Sequence, residues 1–265
     1  MQKSDLERDI PECLALRREG ALLIIGLNRP QKRNAIHDEM VGGLEHIFTH
    51  IPPDIRAIVL HGEGEHFSAG LDLSELGERD AFEGLIHSRL WHRAFERIQF
   101  GPVPVIAALH GAVIGGGLEL AAATHIRIAE ASTFYALPEG QRGIYVGGGA
   151  SVRLPKLIGV ARMMDMMLTG RVIRAEEGYQ LGLSQYLVAE GEALNKALEL
   201  AQKVANNNPI TNFALIHALP RTAEASQEQG LMMEALMAAI AQDSSEAKLR
   251  LQQFLNKQAK KVGEA

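Results

Sequence analysis

Two glutamates, Glu119 and Glu139, stand among apolar and small residues, where a carboxylate is unfavourable unless the protein uses it. Glu119 lies in Ile114-Gly-Gly-Gly-Leu-Glu-Leu-Ala121, and Glu139 ends Ala136-Leu-Pro-Glu139. Burial raises the pKa of a carboxyl group, and two neighbouring carboxyls separate each other's titrations, so that one can donate a proton while the other accepts one. The pair therefore predicts acid–base catalysis.

Each glutamate also fits a purely structural role. Glu119 follows Gly116 by three residues, and the helix dipole stabilises a carboxylate in the first turn of a helix. Glu139 would then be a surface charge at the end of a strand. The glycines from Gly115 to Gly117 likewise fit either a tight turn with close helix packing or a place where backbone N–H groups approach a ligand.

The elements that would position these residues follow from the hydrophobic pattern. Strand-like runs alternate with helical ones in the first half, a short helix opens near Gly116, and long helices dominate after about Gly147. This order predicts an α/β core over residues 1–200 and a C-terminal helical subdomain over residues 201–265. The predicted strands are Cys13–Leu16, Leu22–Leu27, Ile55–Leu60, Pro104–Leu109, Ile126–Ala129 and Thr133–Ala136, and the predicted longer helices are Asp38–His50, Val160–Leu168, Ala193–Ala205 and Leu231–Ile240.

Composition excludes several classes of protein. The chain has 265 residues, of which 46% are hydrophobic and 22% charged, as is typical of a globular protein with a sizeable core. Its formal net charge of −5 offers no global attraction to nucleic acid or to an anionic membrane. The single cysteine, Cys13, allows no intrachain disulfide, and the charged N-terminus is unlike a secretory signal. We therefore expect a cytoplasmic protein without a membrane span.

Other catalytic chemistries lack support. The ten histidines form no His-Glu-x-x-His or clustered His/Cys pattern, so we expect no metal. A Gly-x-Ser-x-Gly elbow is absent and Cys13 has no evident activator, which argues against a covalent nucleophile. The methionines near Met163 and Met232 fit helix packing or a subunit interface better than an acyl pocket.

Four segments of the chain combine small residues with polar ones. They are Asn28-Arg-Pro-Gln-Lys-Arg-Asn-Ala35, His66-Phe-Ser-Ala-Gly-Leu-Asp-Leu73, Gly111-Ala-Val-Ile-Gly-Gly-Gly-Leu-Glu-Leu120, and Leu137-Pro-Glu139 followed by Gly143 and Gly147. In this order they resemble the enoyl-CoA hydratase/isomerase, or crotonase, family. The resemblance runs from about Leu14 to Lys257 and implies a crotonase-like spiral of ββα units. It also implies that the C-terminal subdomain serves trimerisation, giving a homotrimer or a homohexamer built as a dimer of trimers.

The resemblance implies a reaction. Backbone N–H groups matching Ala69 and Gly116 would bind the thioester oxygen in an oxyanion hole. Glu119 and Glu139 would hold the water that adds across the α,β double bond of a 2-enoyl-CoA. Family members that lack one glutamate usually carry out isomerisation, hydrolysis or decarboxylation instead. The chain is thus similar to a hydro-lyase, an enoyl-CoA hydratase of fatty acid metabolism, which needs no cofactor because coenzyme A is part of its substrate.

The resemblance also implies a path for the CoA moiety. Phe254 and Lys257 match a terminal helix that often reaches a neighbouring subunit's CoA site, although on sequence alone they favour a solvated surface helix. The residues matching the CoA and substrate site are Lys32 and Arg33 at the nucleotide end with Ala35 beside them, and Ala69, Gly70, Leu71, Asp72 and Gly116 along the rest.

Departures from the family pattern bear on the substrate. Val146 stands where the family often has proline, and Phe82–Arg97 falls in a variable region that borders the acyl group. These features resemble hydratases of short or substituted acryloyl-CoA esters, such as methylthioacryloyl-CoA. Two other functions stay open: another crotonase reaction, such as enoyl-CoA isomerisation or acyl-CoA thioester hydrolysis, and a non-catalytic or RNA-binding relative, which the acidic net charge disfavours.

Overall fold

The computed structural model describes residues 10–75, 77 and 79–256 of the chain. In this part of the chain, strands and helices alternate up to β9, and only helices follow. The strands are β1 (Leu14–Glu19), β2 (Leu22–Leu27), β3 (Ala57–Gly62), β4 (Val105–Leu109), β5 (Ala112–Ile114), β6 (Ile126–Glu130), β7 (Phe134–Ala136), β8 (Ile173–Arg174) and β9 (Tyr186–Val188). The α-helices are α1 (Asp38–Thr49), α2 (Ala81–Gln99), α3 (Gly116–Ala122), α4 (Ala150–Ile158), α5 (Val160–Thr169), α6 (Ala175–Leu181), α7 (Ala193–Ala205), α8 (Pro209–His217), α9 (Leu219–Glu224), α10 (Gln227–Asp243) and α11 (Ser245–Leu255).

A six-stranded sheet, in the order β1-β2-β3-β4-β6-β9, forms the centre of the first part of the chain. β1 and β2 are antiparallel, whereas every other neighbouring pair is parallel. Parallel neighbours need a crossover connection, which α1 supplies between β2 and β3 and α2 supplies between β3 and β4. The carboxyl ends of the parallel strands therefore lie at one edge of the sheet, where loops commonly build ligand sites.

Both faces of this sheet are covered, so β2 is buried along its whole length. Alternate side chains such as Leu23 and Ile25 pack with α1 and α2 in the larger core. The intervening side chains, Leu22 and Ile24, pack with α7 on the opposite face. Each such buried side chain stabilises the fold by about 1.5–3 kcal/mol. The sheet is thus a rigid support for the loops that leave its carboxyl edge.

A second, three-stranded sheet has the order β5-β7-β8. β5 and β7 are parallel, with Ile114 opposite Ala136. After Ile114 the chain turns at Gly115, whose φ is +51°, and enters α3. Because the two parallel strands end side by side, the helix that carries Glu119 and the turn that carries Glu139 begin next to each other.

The chain divides after Ala205 into two compact units, where the sequence pattern predicted a division after residue 200. In the second unit, Asn208 caps α8 by accepting the Ile210 N–H at 2.8 Å and donates to Ser244 Oγ at 2.7 Å. Many large apolar side chains of this unit are exposed. They are Phe213, Leu215, Leu219, Leu231, Met232, Leu236, Ile240, Leu249, Leu251, Phe254 and Leu255.

The observed elements lie close to the predicted ones. The bounds agree for β2 and α7, and the other predicted elements end within four residues of the observed ones. The elements that were not predicted are the short strands β5, β8 and β9 and the helices α2, α4, α6, α8 and α9. No helix in the described ranges is long and apolar enough to cross a membrane.

Candidate active site

A cavity of about 330 Å³ opens where the segments that follow β3, β5 and β7 meet helix α2. Its wall brings together residues from Ala69 to Gly148, up to 79 positions apart in the sequence, since the three strand ends converge there. Six of the predicted site residues line this cavity: Ala69, Gly70, Leu71, Gly116, Glu119 and Glu139. The other four, Lys32, Arg33, Ala35 and Asp72, lie outside it.

Two backbone segments of the wall pack directly against each other. Ser68 donates its N–H to the Ala112 carbonyl at 2.9 Å, and its own carbonyl accepts the Ile114 N–H at 3.0 Å. Gly70 has a φ of +90°, and a β-carbon there would lie 2.7 Å from the Ile114 carbonyl oxygen. Only glycine fits this close approach, which holds residues 68–71 beside the start of α3.

Leu71 and Gly116 place their backbone N–H groups side by side on this wall. A β-carbon built on Gly116 would lie 3.4 Å from Leu71 N. Gly116 opens α3, where N–H groups of the first turn have no partner within the helix. Within the described ranges, neither N–H donates to a protein acceptor. Two adjacent donors of this kind are suited to hydrogen-bonding one oxyanion.

Within the described ranges, the structure leaves the Leu71 N–H without a protein acceptor, and not that of the predicted oxyanion donor Ala69. The Ala69 N–H already donates to the Arg33 carbonyl at 2.9 Å. Two other N–H groups of this turn are also engaged. Gly70 N donates to Ser68 Oγ at 3.1 Å, and Asp72 N donates to the Ile36 carbonyl at 2.8 Å. The small residues identified the right turn, but no sequence pattern shows which N–H of that turn is left without an acceptor.

Glu119 is buried on α3, with 4% of its surface exposed. Its Oε1 accepts the backbone N–H groups of Gly148 at 2.8 Å and Ala150 at 2.9 Å. Burial raises the pKa of this carboxyl, while the two amides and the nearby Arg153 guanidinium act in the opposite direction by favouring the ionised form. The interactions with Gly148 and Ala150 fix the orientation of the carboxylate.

Glu139 is also buried, at 8% exposed, so a role as a surface charge is excluded. Burial raises its pKa to about 7, and the negative charge of Glu119 adds to the increase. Its Oε2 has no hydrogen-bond partner among the described residues. A β-carbon at Gly115 would lie 2.5 Å from Oε1, so glycine is needed there to admit the carboxyl group. Glu139 is thus a carboxyl that is readily protonated near neutral pH and has a free oxygen.

Trp91 and Arg153 support this arrangement. Trp91 belongs to the segment Phe82–Arg97 that was expected to border the acyl group, whereas the sequence pattern did not indicate Arg153. A β-carbon at Gly116 would lie 2.7 Å from the Trp91 ring, and one at Gly148 would lie 3.1 Å from it. Arg153 donates from Nη1 to the Gly148 carbonyl at 2.9 Å and from Nε to Gln99 Oε1 at 2.7 Å. The run of glycines at 147–149 was the signal that could have identified this loop as part of the site.

The residues predicted to meet the CoA moiety lie along the segments that precede and follow the cavity. Lys32 and Arg33 are exposed in the turn after β2, and the Ala35 carbonyl accepts Arg29 Nη1 at 2.7 Å. Asp72 is already engaged. Hydrogen bonds from Ser74, with the Arg29 guanidinium 2.9 Å away, lower the pKa of Asp72 to about 2. Asp72 therefore holds the loop in place.

Two residues matching the terminal helix of the family, Phe254 and Lys257, were predicted to reach a neighbouring subunit's CoA site. Phe254 lies near the end of α11 and is exposed. Lys257 lies outside the described residues. Their predicted contact with a neighbouring subunit's CoA site remains a prediction.

Tertiary structure assembles one group of potential metal ligands in the described ranges, away from the cavity. The ligand atoms of Cys13, His37 and Glu39 lie within 4.8 Å of one another. No sequence spacing indicated this group. Burial, followed by the charge of Glu39, raises the pKa of the Cys13 thiol to about 11, which opposes formation of the thiolate that a metal ion requires.

Several known proteins are similar to this chain in sequence and structure. The model of the enoyl-CoA hydratase/isomerase family matches residues 17–264. A short-chain-enoyl-CoA hydratase from Clostridium acetobutylicum is 32% identical over 222 residues, covering 83% of this chain and 85% of the relative. A solved structure from Rhodopseudomonas palustris CGA009, provisionally designated an enoyl-CoA hydratase, is 63% identical with a TM-score of 0.91, covering 92% of this chain and 95% of that one. A Thermobifida fusca structure of the same provisional designation, solved with CoA, is 26% identical with a TM-score of 0.80, covering 86% and 92%.

Proposed function

The chain belongs to the enoyl-CoA hydratase/isomerase family, and we propose that it adds water across the α,β double bond of a 2-enoyl-CoA with a short or substituted acyl group. One observation carries the proposal. Two buried carboxyl groups, Glu119 and Glu139, line the same cavity as two backbone N–H groups without protein acceptors, those of Leu71 and Gly116. Hydration needs both kinds of group, an acid–base pair and an oxyanion site.

The N–H groups of Leu71 and Gly116 would polarise the substrate. The thioester carbonyl oxygen lies between them and accepts both hydrogen bonds. When water attacks the β-carbon, the electrons of the double bond move towards that oxygen and form an enolate. Donors already in position stabilise the new charge without reorganising, and one such donor contributes about 3–4 kcal/mol in comparable enzymes.

The different surroundings of the two glutamates support different roles. Glu119, whose ionised form is favoured by hydrogen bonds from two backbone amides, accepts a proton from the attacking water as the water oxygen bonds to the β-carbon. Glu139, whose pKa is raised to about 7, is protonated in a large fraction of molecules at neutral pH and delivers a proton to the α-carbon. One water is consumed, and proton exchange between the two carboxyls restores the starting state. This reaction requires no metal or redox cofactor.

The size of the cavity supports a short acyl group. Its volume of about 330 Å³ includes the space for the thioester and the attacking water. CoA itself would extend outside, along residues 69–72 and towards Lys32 and Arg33. The T. fusca protein was solved with CoA, which supports a CoA thioester as the ligand class.

The exposed apolar side chains of the second unit support an oligomer. Monomeric proteins rarely expose many large apolar residues together, and helices α8 to α11 expose Phe213, Leu231, Met232 and Phe254 among others. We propose that these helices form the contacts of a homotrimer, or of a hexamer of two trimers. Sedimentation equilibrium would give a mass three or six times that of the 28.9 kDa chain.

The loss of enoyl-thioester absorbance tests the proposed reaction. Purified protein is mixed with crotonyl-, 3-methylcrotonyl-, longer enoyl- and methylthioacryloyl-CoA, alongside Glu119→Gln and Glu139→Gln. Either substitution is expected to lower kcat by at least about 100-fold, the usual contribution of a general acid or base. Glu190→Gln, a glutamate outside the cavity, is the matched control and should retain activity.

The outcomes separate the competing reactions. Loss of absorbance that either substitution abolishes supports hydration by two glutamates. Retained activity in one of the two variants, with a shift of the double bond instead of water addition, would indicate an isomerase. No change with any ester would refute the proposed hydration.

A further inference from the structure

Charged and polar side chains gather at the far end of the catalytic cavity, in a region that the proposed chemistry does not use. The face of α2 that lines the cavity carries Gly84, His87, Ser88 and Trp91, spaced as one side of a helix. Arg79, from the segment before α2, lines the same end. An acyl chain that extends along α2 beyond the reacting carbons meets this polar end.

Trp91 gives the position of that end relative to the reaction centre. Its ring packs against Gly116 and Gly148, which hold the oxyanion site and Glu119. His87 lies one helical turn earlier, with its ring centroid 5.9 Å from that of Trp91. A turn of helix rises about 5.4 Å, which matches an acyl group of about five carbons with a hydrogen-bonding terminus.

A second cavity, of about 540 Å³, adjoins the first, and Gly77, Arg79 and His87 line both. These shared residues form a partition. The outer cavity has apolar side chains from Phe82, Ile86 and Leu90. A longer apolar chain would have to displace a guanidinium and an imidazole to reach them, which is unfavourable.

The charged groups at this end leave the Arg79 guanidinium able to bind an anion. His87 Nε2 donates to Asp38 Oδ1 at 2.8 Å, so this carboxylate is already engaged. Arg79 Nη2 is 3.7 Å from Asp38 Oδ2, beyond hydrogen-bonding distance, and no other ion pair of Arg79 occurs within the described ranges. Asp80, which also lines the cavity, caps the start of α2 by accepting the Glu83 N–H at 2.8 Å.

We propose that the distal end of the cavity binds a carboxylate on the acyl group, so that the substrate is an enoyl-CoA whose acyl chain of about five carbons ends in a carboxylate. The Arg79 guanidinium donates to the carboxylate oxygens, for which its planar fork is well suited. His87 and Ser88 border the same space. The proposal rests on the proposed function and specifies its substrate class.

A matched pair of substrates tests this inference. Glutaconyl-CoA ends in a carboxylate, and 5-methylhex-2-enoyl-CoA carries an isopropyl group of similar shape at the same position. The protein is expected to hydrate the first with a kcat/KM about 10- to 100-fold higher, the effect of one charge-assisted hydrogen-bonded contact. Arg79→Met should abolish that preference while leaving kcat for crotonyl-CoA within about twofold, and Arg79→Lys should restore part of it.

Arg89→Met is the control for loss of a positive charge nearby, because Arg89 is exposed on α2 and lines neither cavity. It should retain the preference. A wild-type preference for the isopropyl ester, or an equal loss for both esters in Arg79→Met, would overturn the inference while leaving hydratase activity intact.

Binding measurements keep this test separate from that of the reaction. Calorimetry compares glutaryl-CoA with 5-methylhexanoyl-CoA, which have no double bond and cannot be hydrated. Tighter binding of glutaryl-CoA, lost in Arg79→Met, would support the carboxylate site even if no enoyl ester were turned over. Equal binding of the two saturated esters would refute it.

Discussion

Gly148 links Glu119 to Arg153, because its N–H donates to Glu119 Oε1 at 2.8 Å while its carbonyl accepts Arg153 Nη1 at 2.9 Å. The proposed catalytic base is therefore oriented by a loop that a half-buried guanidinium holds in place. Arg153 lies outside the cavity lining. Its effect on catalysis would be exerted through the loop and through its charge.

Arg153→Met is expected to lower kcat by about 10- to 100-fold with little change in KM, since small displacements of a catalytic group have effects of that size. The charge of Arg153 opposes the rise in the pKa of Glu119. Its loss should therefore shift the acidic limb of the kcat profile to higher pH. Steady-state kinetics between pH 5 and 9 measures both effects.

Arg153→Lys provides the comparison for that variant. A lysine retains the charge but not the two directed contacts to Gly148 and Gln99, so the pH limb should return towards that of the parent while kcat recovers only in part. Equal proportional losses of kcat in both variants, with no shift of the limb, would indicate that Arg153 contributes only to folding.

The N–H of Leu71, and not that of Ala69, is expected to stabilise the enolate. Replacing the residue at position 71 with the matching α-hydroxy acid turns this N–H into an ester oxygen and leaves the side chain unchanged. We expect kcat to fall by about 100-fold or more. The same exchange at Ala69 removes only the hydrogen bond to the Arg33 carbonyl, so it should lower stability with a much smaller effect on kcat. A larger loss of kcat from the exchange at Ala69 than from that at Leu71 would instead assign the oxyanion donor to Ala69.

Gly116→Ala is expected to abolish activity by displacing Trp91. The added β-carbon would lie 2.7 Å from the ring, and Trp91 is the single tryptophan of the chain. Its fluorescence therefore reports the displacement directly, as a change in emission maximum. Gly42→Ala is the control, because a β-carbon on this residue of α1 meets nothing within 4 Å. It should leave emission and activity unchanged and stabilise the helix by about 0.5–1 kcal/mol.

Activity is expected to fall as the pH rises through about 7. Glu139 must be protonated to act as the acid, and its pKa is raised to about 7 by burial. Below that pH the acid form dominates, and above it the active fraction falls about tenfold per pH unit. The dependence of kcat on pH measures this limb, which should be missing from the residual activity of Glu139→Gln. A flat profile from pH 6 to 9 would contradict the assignment.

The raised pKa of Glu139 should also make the free energy of unfolding depend on pH. The pKa of Glu139 is raised from 4.5 to about 7 in the folded state, so the folded protein binds more protons than the unfolded chain between these values. Unfolding free energy therefore falls as the pH rises across this window, by at most about 3 kcal/mol. Urea unfolding at pH 4.5 and pH 8 should show Glu139→Gln becoming more stable relative to the parent at the higher pH. An unchanged difference would argue against the raised pKa.

Much of the fold was predictable from local patterns. β2 is a continuous apolar run and α7 has a clear helical period, and their bounds were predicted correctly. The long helix α2 escaped prediction because Ala81–Gln99 mixes charged, aromatic and glycine residues with little net hydrophobicity, and its burial comes from packing on α1 and on the segments around Gly116 and Gly148.

Part of the site was also predictable from local sequence patterns. Glu119 and Glu139 were identified because a carboxylate among glycines and apolar residues is unfavourable unless it has a role. Both line the cavity. Trp91 and Arg153 gave no such signal, since a tryptophan or an arginine on a helix is ordinary. Their roles depend on contacts with Gly116 and Gly148, which are far away in the sequence.

Four short motifs thus carry the family resemblance, and residue chemistry indicates the two acid–base candidates and the turns near the oxyanion site, because each is encoded in a short stretch of chain. Three-dimensional packing leaves the Leu71 N–H rather than that of Ala69 without a protein acceptor, gives Glu119 two backbone donors while Glu139 Oε2 has none among the described residues, and places Arg79 and His87 on the wall of one cavity. The physical reason is that hydrogen-bond satisfaction and burial belong to distant parts of the chain brought together, and no local pattern contains them.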